Sequence, residues 1–359
     1  MIPHLPAPNP DFGRLRKVLL RQGEPDRLPL AELFADREIM EAVTGQPIPG
    51  GSPDQPDLLA LEIDRKIDFY YQTGYDYLTL GAGVPLPHKV IATDDTAALN
   101  RGERSWDDEN VGLIMSWADF EAYPWPKPEQ IDYSALEYAG KHLPDGMQII
   151  FLGPGGQFEN MCWLMGLAPM AMLIHDDPAL VQAVADKVGE VLVDVFRTVA
   201  QMPNIGALWL GDDMGFKTGT LVSPKHLRQY VFPVQKRLAE IAHARDLPFL
   251  LHSCGDLSRV MDDLIDNVKI DAKHSWEDVI MPVTEAKKRW GERVAILGGV
   301  DVDYLCRHTP EEVRAYTRQI IECCAPGGGY ALGTGNTVAN YIPVENYLAM
   351  VDEGLRFRY

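Results

Sequence analysis

The sequence predicts a (β/α)8 barrel, and three observations predict it. Eight short apolar segments recur along 359 residues, near 28–34, 76–80, 148–152, 205–210, 248–252, 268–273, 294–297 and 330–332. Helix-length amphipathic stretches separate them, which is the spacing of repeated strand–helix units. The residues that follow the strands are polar and chemically capable: Asp212, Asp213, His252, Cys254, His274, Asp301 and Asn336. In a parallel barrel those strand ends meet at one mouth, where active sites lie. A nicotinamide-binding open sheet needs a Gly-x-Gly-x-x-Gly turn opening a helix early in the chain. Gly153-Pro154-Gly155-Gly156 does not match it.

Taken in order, residues 1–10 read as a loose, proline-rich arm. Phe12 to Leu20 reads as a helix with Leu15, Val18 and Leu19 on its apolar face. Glu24-Pro25-Asp26 is a turn, and 28–34 is a first strand. A helix over Arg37 to Thr44 stops at Gly45 and Pro47, and 49–57 is a loop. Helix Ile63 to Gly74 leads into strand 76–80. After strand 148–152 come an apolar helix from Met161 to Met172 and a longer one from Asp177-Pro178 to about Met202. Pro178 suits a first helical turn, where its missing N–H is not needed.

Strand 205–210 ends at Gly211-Asp212-Asp213, and Ser223-Pro224 caps a helix over Lys225 to Ala244. A short helix from Met261 to Ile265, strand 268–273, helix Val283 to Trp290 and strand 294–297 follow. Thr309-Pro310-Glu311-Glu312 is the start of a capping-box helix. Strand 330–332 runs into Gly333-Thr334-Gly335-Asn336, and Glu345 to Glu353 forms the last helix. The whole chain reads as one barrel domain. Residues 81–134, with Trp106, Trp117, Trp125 and a Pro-Trp-Pro-Lys-Pro run, interrupt the repeat as an insertion. Such an insertion reads either as a functional lid or as surface cover with aromatic anchors.

Net charge is −19, which opposes non-specific nucleic-acid binding and anionic membrane surfaces. No apolar run is long enough to span a bilayer. The N-terminus lacks the basic flank and apolar core of a secretory signal. Five cysteines, at 162, 254, 306, 323 and 324, show no paired scaffold spacing, so reduced thiols in the cytoplasm are expected.

The stretch Pro248-Phe249-Leu250-Leu251-His252-Ser253-Cys254-Gly255-Asp256 carries the sharpest signal. Alternation along an extended segment puts His252 and Cys254 on one side. An imidazole and a thiolate so placed can take two positions around a zinc ion, with further ligands from elsewhere. The same pair is also ordinary core filling. His252 and His274 are alternative acid–base groups. Asp212 and Asp213 are candidates to orient a donor, supply a metal oxygen ligand or cap a loop. Trp209, Glu159, Asn336 and Asp301 are candidate substrate contacts at the same mouth.

The chain resembles the uroporphyrinogen decarboxylase superfamily along nearly its whole length. The resemblance rests on Glu24-Pro25-Asp26-Arg27-Leu28-Pro29, on His252-Ser253-Cys254-Gly255, on Gly298-Gly299-Val300-Asp301 and on Tyr330 to Glu345. It implies a (β/α)8 barrel. The His-x-Cys pair is similar to that of the zinc-binding, cobamide-linked methyltransferase branch. That branch has a third cysteine ligand after a glycine, where this chain has Gly335-Asn336. This departure leaves two expectations: zinc held with a different ligand, such as Asp212, Glu159 or another carboxylate, or no zinc at this site. True decarboxylases of the superfamily carry an N-terminal arginine-rich glycine motif, which Arg27 to Glu32 lacks, and a histidine at the Asn336 position.

The resemblance implies a methyltransferase component that demethylates a small methoxylated compound, aromatic ones included, or an otherwise methylated one. It would pass the methyl group to a corrinoid on a separate partner protein. The insertion's tryptophans are candidates to wall an aromatic pocket. The competing readings are a decarboxylase, of uroporphyrinogen or of another small carboxylate, and a non-catalytic ligand-binding barrel. Two-fold dimers are common, which makes a homodimer a candidate assembly.

Overall fold

The structure is a computed structural model that describes residues 5–108 and 110–359. Part of the expected N-terminal arm, residues 1–4, lies outside the described residues. At the centre is a curled sheet of seven parallel strands. They are β1 (Tyr77–Leu80), β2 (Gln148–Leu152), β3 (Ile205–Gly211), β4 (Phe249–His252), β5 (Ala272–His274), β6 (Ala295–Leu297) and β7 (Tyr330–Ala331). They pair in chain order, each parallel to the next. Helices between the strands cover the outside, so the strands are buried on both faces. This is why they read as continuous apolar runs rather than alternating ones.

The expected eighth strand, 28–34, is not a ladder strand. Leu30 bridges Leu332 and Ala35 bridges Val338, both parallel and isolated. Pro29 has no N–H to give, which suits a broken edge better than a central strand. On the β1 side a side chain closes the ring. The Tyr77 hydroxyl accepts the Glu32 N–H at 2.6 Å and donates to the Glu32 carbonyl at 2.7 Å. One phenol satisfies the two backbone groups that a strand pairing would otherwise take.

The other departures have local causes. The apolar helix over 161–172 is two helices, Gln157–Met165 and Leu167–Asp176, broken at Gly166 with φ +73°. The helix over 225–244 divides into Pro224–Tyr230 and Phe232–His243, with Pro233 in the first turn of the second. The helix before β1 starts earlier than expected, at Pro56. β5 begins only at Ala272, after a π-helical turn over Asp263–Val268. Thr309 does form a capping box: its N–H reaches Glu312 Oε2 at 2.8 Å, and its hydroxyl accepts the Glu312 N–H at 3.3 Å.

Residues 81–134 hold a hairpin, Val90–Asp94 against Glu103–Asp107, and a short helix, Trp117–Ala122. Arg104 of this hairpin lies over the Tyr341 ring at 5.7 Å. Trp117 and Trp125 join Phe120 and Tyr123 in a chain of ring contacts, and Trp117 Nε1 donates to Asp177 Oδ2. At the opposite, N-terminal end of the barrel, Asp76 Oδ1 accepts from the Asp11 N–H, Arg14 Nη1 and Arg27 Nη2 at 2.7–3.0 Å. The arginine of the opening Glu-Pro-Asp-Arg stretch is thus used in packing, far from the strand C-termini. Among the described residues no helix is long and apolar enough to cross a membrane.

Candidate active site

Register brings the site together. Gly211 pairs with His252, and His252 pairs with His274, so three adjacent strands end on one rung. Neighbours on one rung of a parallel sheet point the same way. His252 and His274 therefore meet inside the barrel, their Nδ1 atoms 2.8 Å apart. Two residues on, Cys254 presents its sulfur 3.5 Å from His252 Nε2. Asp213, two residues past Gly211, places Oδ1 at 3.5 Å from the same Nε2 and accepts the Cys254 N–H at 2.7 Å. The ligand atoms of Asp213, His252 and Cys254 all lie within 4.8 Å of one another. One nitrogen, one sulfur and one oxygen, with the mouth open beside them, form a donor set that suits a catalytic zinc ion.

The surroundings support a thiolate. Asn336 Nδ2 donates to Cys254 Sγ at 3.4 Å, and the Ser275 hydroxyl does so at 3.6 Å. Without a cation, burial and the nearby Asp213 carboxylate push the Cys254 thiol well above its ordinary range. Burial, and then the Lys273 charge, pushes His252 down to about 3, so it presents a neutral ring at neutral pH. Both shifts follow mainly from burial, which disfavours the charged form of each group.

Lys273 is wholly buried beneath these loops. Its ammonium donates to the carbonyls of Ser253, His274 and Ser275 at 2.7–3.2 Å and lies 4.7 Å from the Trp276 ring centroid. Burial lowers its pKa to about 7. Three acceptors match the three donors of an ammonium, so we assign the charged form. It ties together the backbones that carry Cys254 and Ser275.

Several expected roles change. Asp212 is not at the metal position. Its carboxylate accepts the N–H groups of Gln157, Phe158 and Glu159, and Gln235 Nε2, at 2.7–3.1 Å. It caps the helix Gln157–Met165 from across the barrel. Gly156 makes this possible, because a Cβ there would collide with the Asp212 carboxyl carbon. His274 is fully buried and uses both ring nitrogens, on His252 and on the Thr334 carbonyl, so it is no proton donor to a substrate. Trp209 is fully buried, with its ring edge-on to His274 at 5.6 Å, and does not face the mouth. Asp301 caps the helix Val302–Arg307 and accepts the Asp278 N–H at 2.9 Å, and it keeps a place on the wall of the cavity beside Asn336. Glu159 does sit at the mouth. It accepts the Gly156 N–H at 3.0 Å, and burial with the Asp213 and Asp212 charges raises its pKa well above the ordinary value.

A cavity of about 390 Å3 opens beside Asn336. Its wall includes Glu277, Asp278, Asp301, Tyr304, His308 and Tyr341. None of the insertion's tryptophans lines it; the aromatic wall comes from the later loops instead. Ser275, Lys273, Thr334 and Glu277 are functional neighbours that sequence reasoning missed. The signal available for Lys273 was a lysine inside an otherwise apolar strand.

Comparison with known proteins agrees with this fold. A solved methyltransferase from Methanosarcina mazei superposes with a TM-score of 0.71 over 96% of this chain and 98% of its own, at 17% identity, a likeness of fold. A uroporphyrinogen decarboxylase from Thioalkalivibrio sulfidiphilus is 36% identical over 76 residues, a match spanning 21% of that relative's length. Residues 111–355, which carry six of the seven strands together with Asp213, His252 and Cys254, match the uroporphyrinogen decarboxylase (URO-D) family, and the chain belongs to that family.

Proposed function

We propose that this protein is a methyltransferase component that removes a methyl group from a small methylated compound and passes it to a corrinoid carried by a separate protein. The observation that carries the reading is the convergence of Asp213 Oδ1, His252 Nε2 and Cys254 Sγ at the barrel mouth beside a ligand-sized cavity. These three residues would hold a zinc ion, with Asp213 in the place of the third cysteine. Zinc there supplies Lewis acidity to the departing heteroatom.

The chain's own groups do the rest. His252 turns Nε2 outward because its Nδ1 is engaged by His274. Asn336 and Ser275 direct N–H and O–H dipoles at the Cys254 sulfur and spread its negative charge. The cavity is the candidate substrate seat, joined to the triad through Asn336, which lines it and donates to the Cys254 sulfur.

The 76-residue match to a decarboxylase favours a second reading, decarboxylation of a small carboxylate. The cavity wall opposes it. Glu277, Asp278 and Asp301 line the cavity, and no lysine or arginine does. A carboxylated substrate would enter against like charge. The test offers the zinc-loaded protein a panel of methylated ethers, amines and thioethers, with cob(I)alamin or a corrinoid protein as acceptor. Methyl transfer from one donor class supports the proposal. No transfer from any donor, with carbon dioxide released from a carboxylate instead, would replace it with the second reading.

A further inference from the structure

We infer that Thr334 and His274 lock the tautomer of His252, so that its Nε2 lone pair faces the metal position before any metal arrives. The inference rests on the reading of Asp213, His252 and Cys254 as a metal-ligand set. The lock follows from donor and acceptor accounting. The Thr334 carbonyl can only accept, so the 3.1 Å contact with His274 Nε2 places a proton on that nitrogen. His274 is fully buried with no carboxylate partner in hydrogen-bond contact among the described residues, so its ring is neutral and its Nδ1 carries a lone pair. The 2.8 Å contact between the two Nδ1 atoms then requires the proton to be on His252. His252 Nε2 is left unprotonated, 3.5 Å from both the Cys254 sulfur and Asp213 Oδ1.

Two residues outside the site hold the lock in place. Glu32 accepts the Thr334 N–H at 2.6 Å and the Thr334 hydroxyl at 2.7 Å, which fixes the direction of the Thr334 carbonyl. Gly298 has φ +74°, and a Cβ at that position would collide with the Thr334 carbonyl oxygen and press on the His274 ring. Glu32, Thr334 and Gly298 are therefore positioning residues, acting through His274 on His252. A histidine free in water favours the opposite tautomer, with the proton on Nε2. The lock reverses that preference and removes a proton shift from the path of metal binding.

The experiment records long-range proton–nitrogen NMR spectra of the full-length, metal-free protein labelled with 15N-histidine. His252→Gln and His274→Gln assign the two rings. The expected spectrum shows His252 protonated at Nδ1 and His274 at Nε2. Protonation of His252 at Nε2 in the unsubstituted protein would overturn the inference. His274→Phe, checked for folding by circular dichroism, should move the His252 proton to Nε2 and weaken zinc binding about 10–100-fold against a competing chelator. His274→Asn, whose oxygen can accept the same proton, should restore part of that loss. An unchanged His252 tautomer in His274→Phe would also overturn it. A protein that shows Nδ1–H at His252 yet takes up no zinc would support the lock and overturn the metal reading instead.

Discussion

Replacing Glu32 with glutamine should change how the stability of this protein depends on pH. Glu32 is buried in the barrel wall, and among the described residues its carboxyl bonds Thr334 alone, through the N–H and the hydroxyl. Burial pushes its carboxyl from the ordinary 4.5 up to about 8. Between those two values the folded protein holds a proton that the unfolded chain has already released. The unfolded state then binds fewer protons, so stability falls as pH rises from about 4.5 to about 8. At ~1.4 kcal/mol per unit, a shift of this size amounts to about 5 kcal/mol. Glutamine copies the protonated acid. Its oxygen accepts the Thr334 N–H, and its amide, like the O–H of the protonated acid, donates to the Thr334 hydroxyl, which donates back only to the ionised carboxylate. Urea unfolding of both proteins from pH 5 to pH 9 is the assay. The two should match near pH 5, and Glu32→Gln should be the more stable by several kcal/mol, about 3–5, at pH 9. Repulsion from the net charge of −19 lowers both curves alike, so the difference isolates Glu32. Parallel curves across the whole range would refute the reasoning.

Other predictions address closure, capping and substrate choice. Tyr77→Phe leaves the Glu32 N–H and carbonyl without the phenol that pairs them, at about 1–3 kcal/mol each, so the unfolding free energy should drop by roughly 2–6 kcal/mol. Asp212→Asn should destabilise by about 2 kcal/mol or more, because an amide NH2 then faces helix N–H groups, while zinc content stays unchanged. Among methylated probes of similar shape, cationic or neutral ones should bind the cavity more tightly than carboxylated ones by calorimetry. Raising the salt should narrow that gap.

The seven strands were legible because a strand buried on both faces must be a short apolar run, and few other elements look like that. His252 and Cys254 were legible for the same physical reason: two-residue alternation leaves no choice about their common side. The choice between Asp212 and Asp213 was not. Two consecutive acids point opposite ways, and which one turns to the mouth depends on Gly156 letting the distant helix approach Asp212. His274 was expected at the mouth but faces inward, since the register that pairs it with His252 is a tertiary fact. The eighth strand failed at Pro29, where local apolar pattern and hydrogen-bonding capacity disagree. The insertion's tryptophans carried no sign of which surface they would cover: Trp117 and Trp125 pack on Phe120, and Trp117 bonds to Asp177, away from the cavity.

The most direct measurement is elemental analysis of the gently purified full-length protein beside Asp213→Asn, Cys254→Ala and Asp212→Asn. A metal held by Asp213, His252 and Cys254 predicts about one zinc per chain, lost in Asp213→Asn and Cys254→Ala and kept in Asp212→Asn. No zinc even after it is offered, or zinc retained without Asp213 and Cys254, would contradict the account.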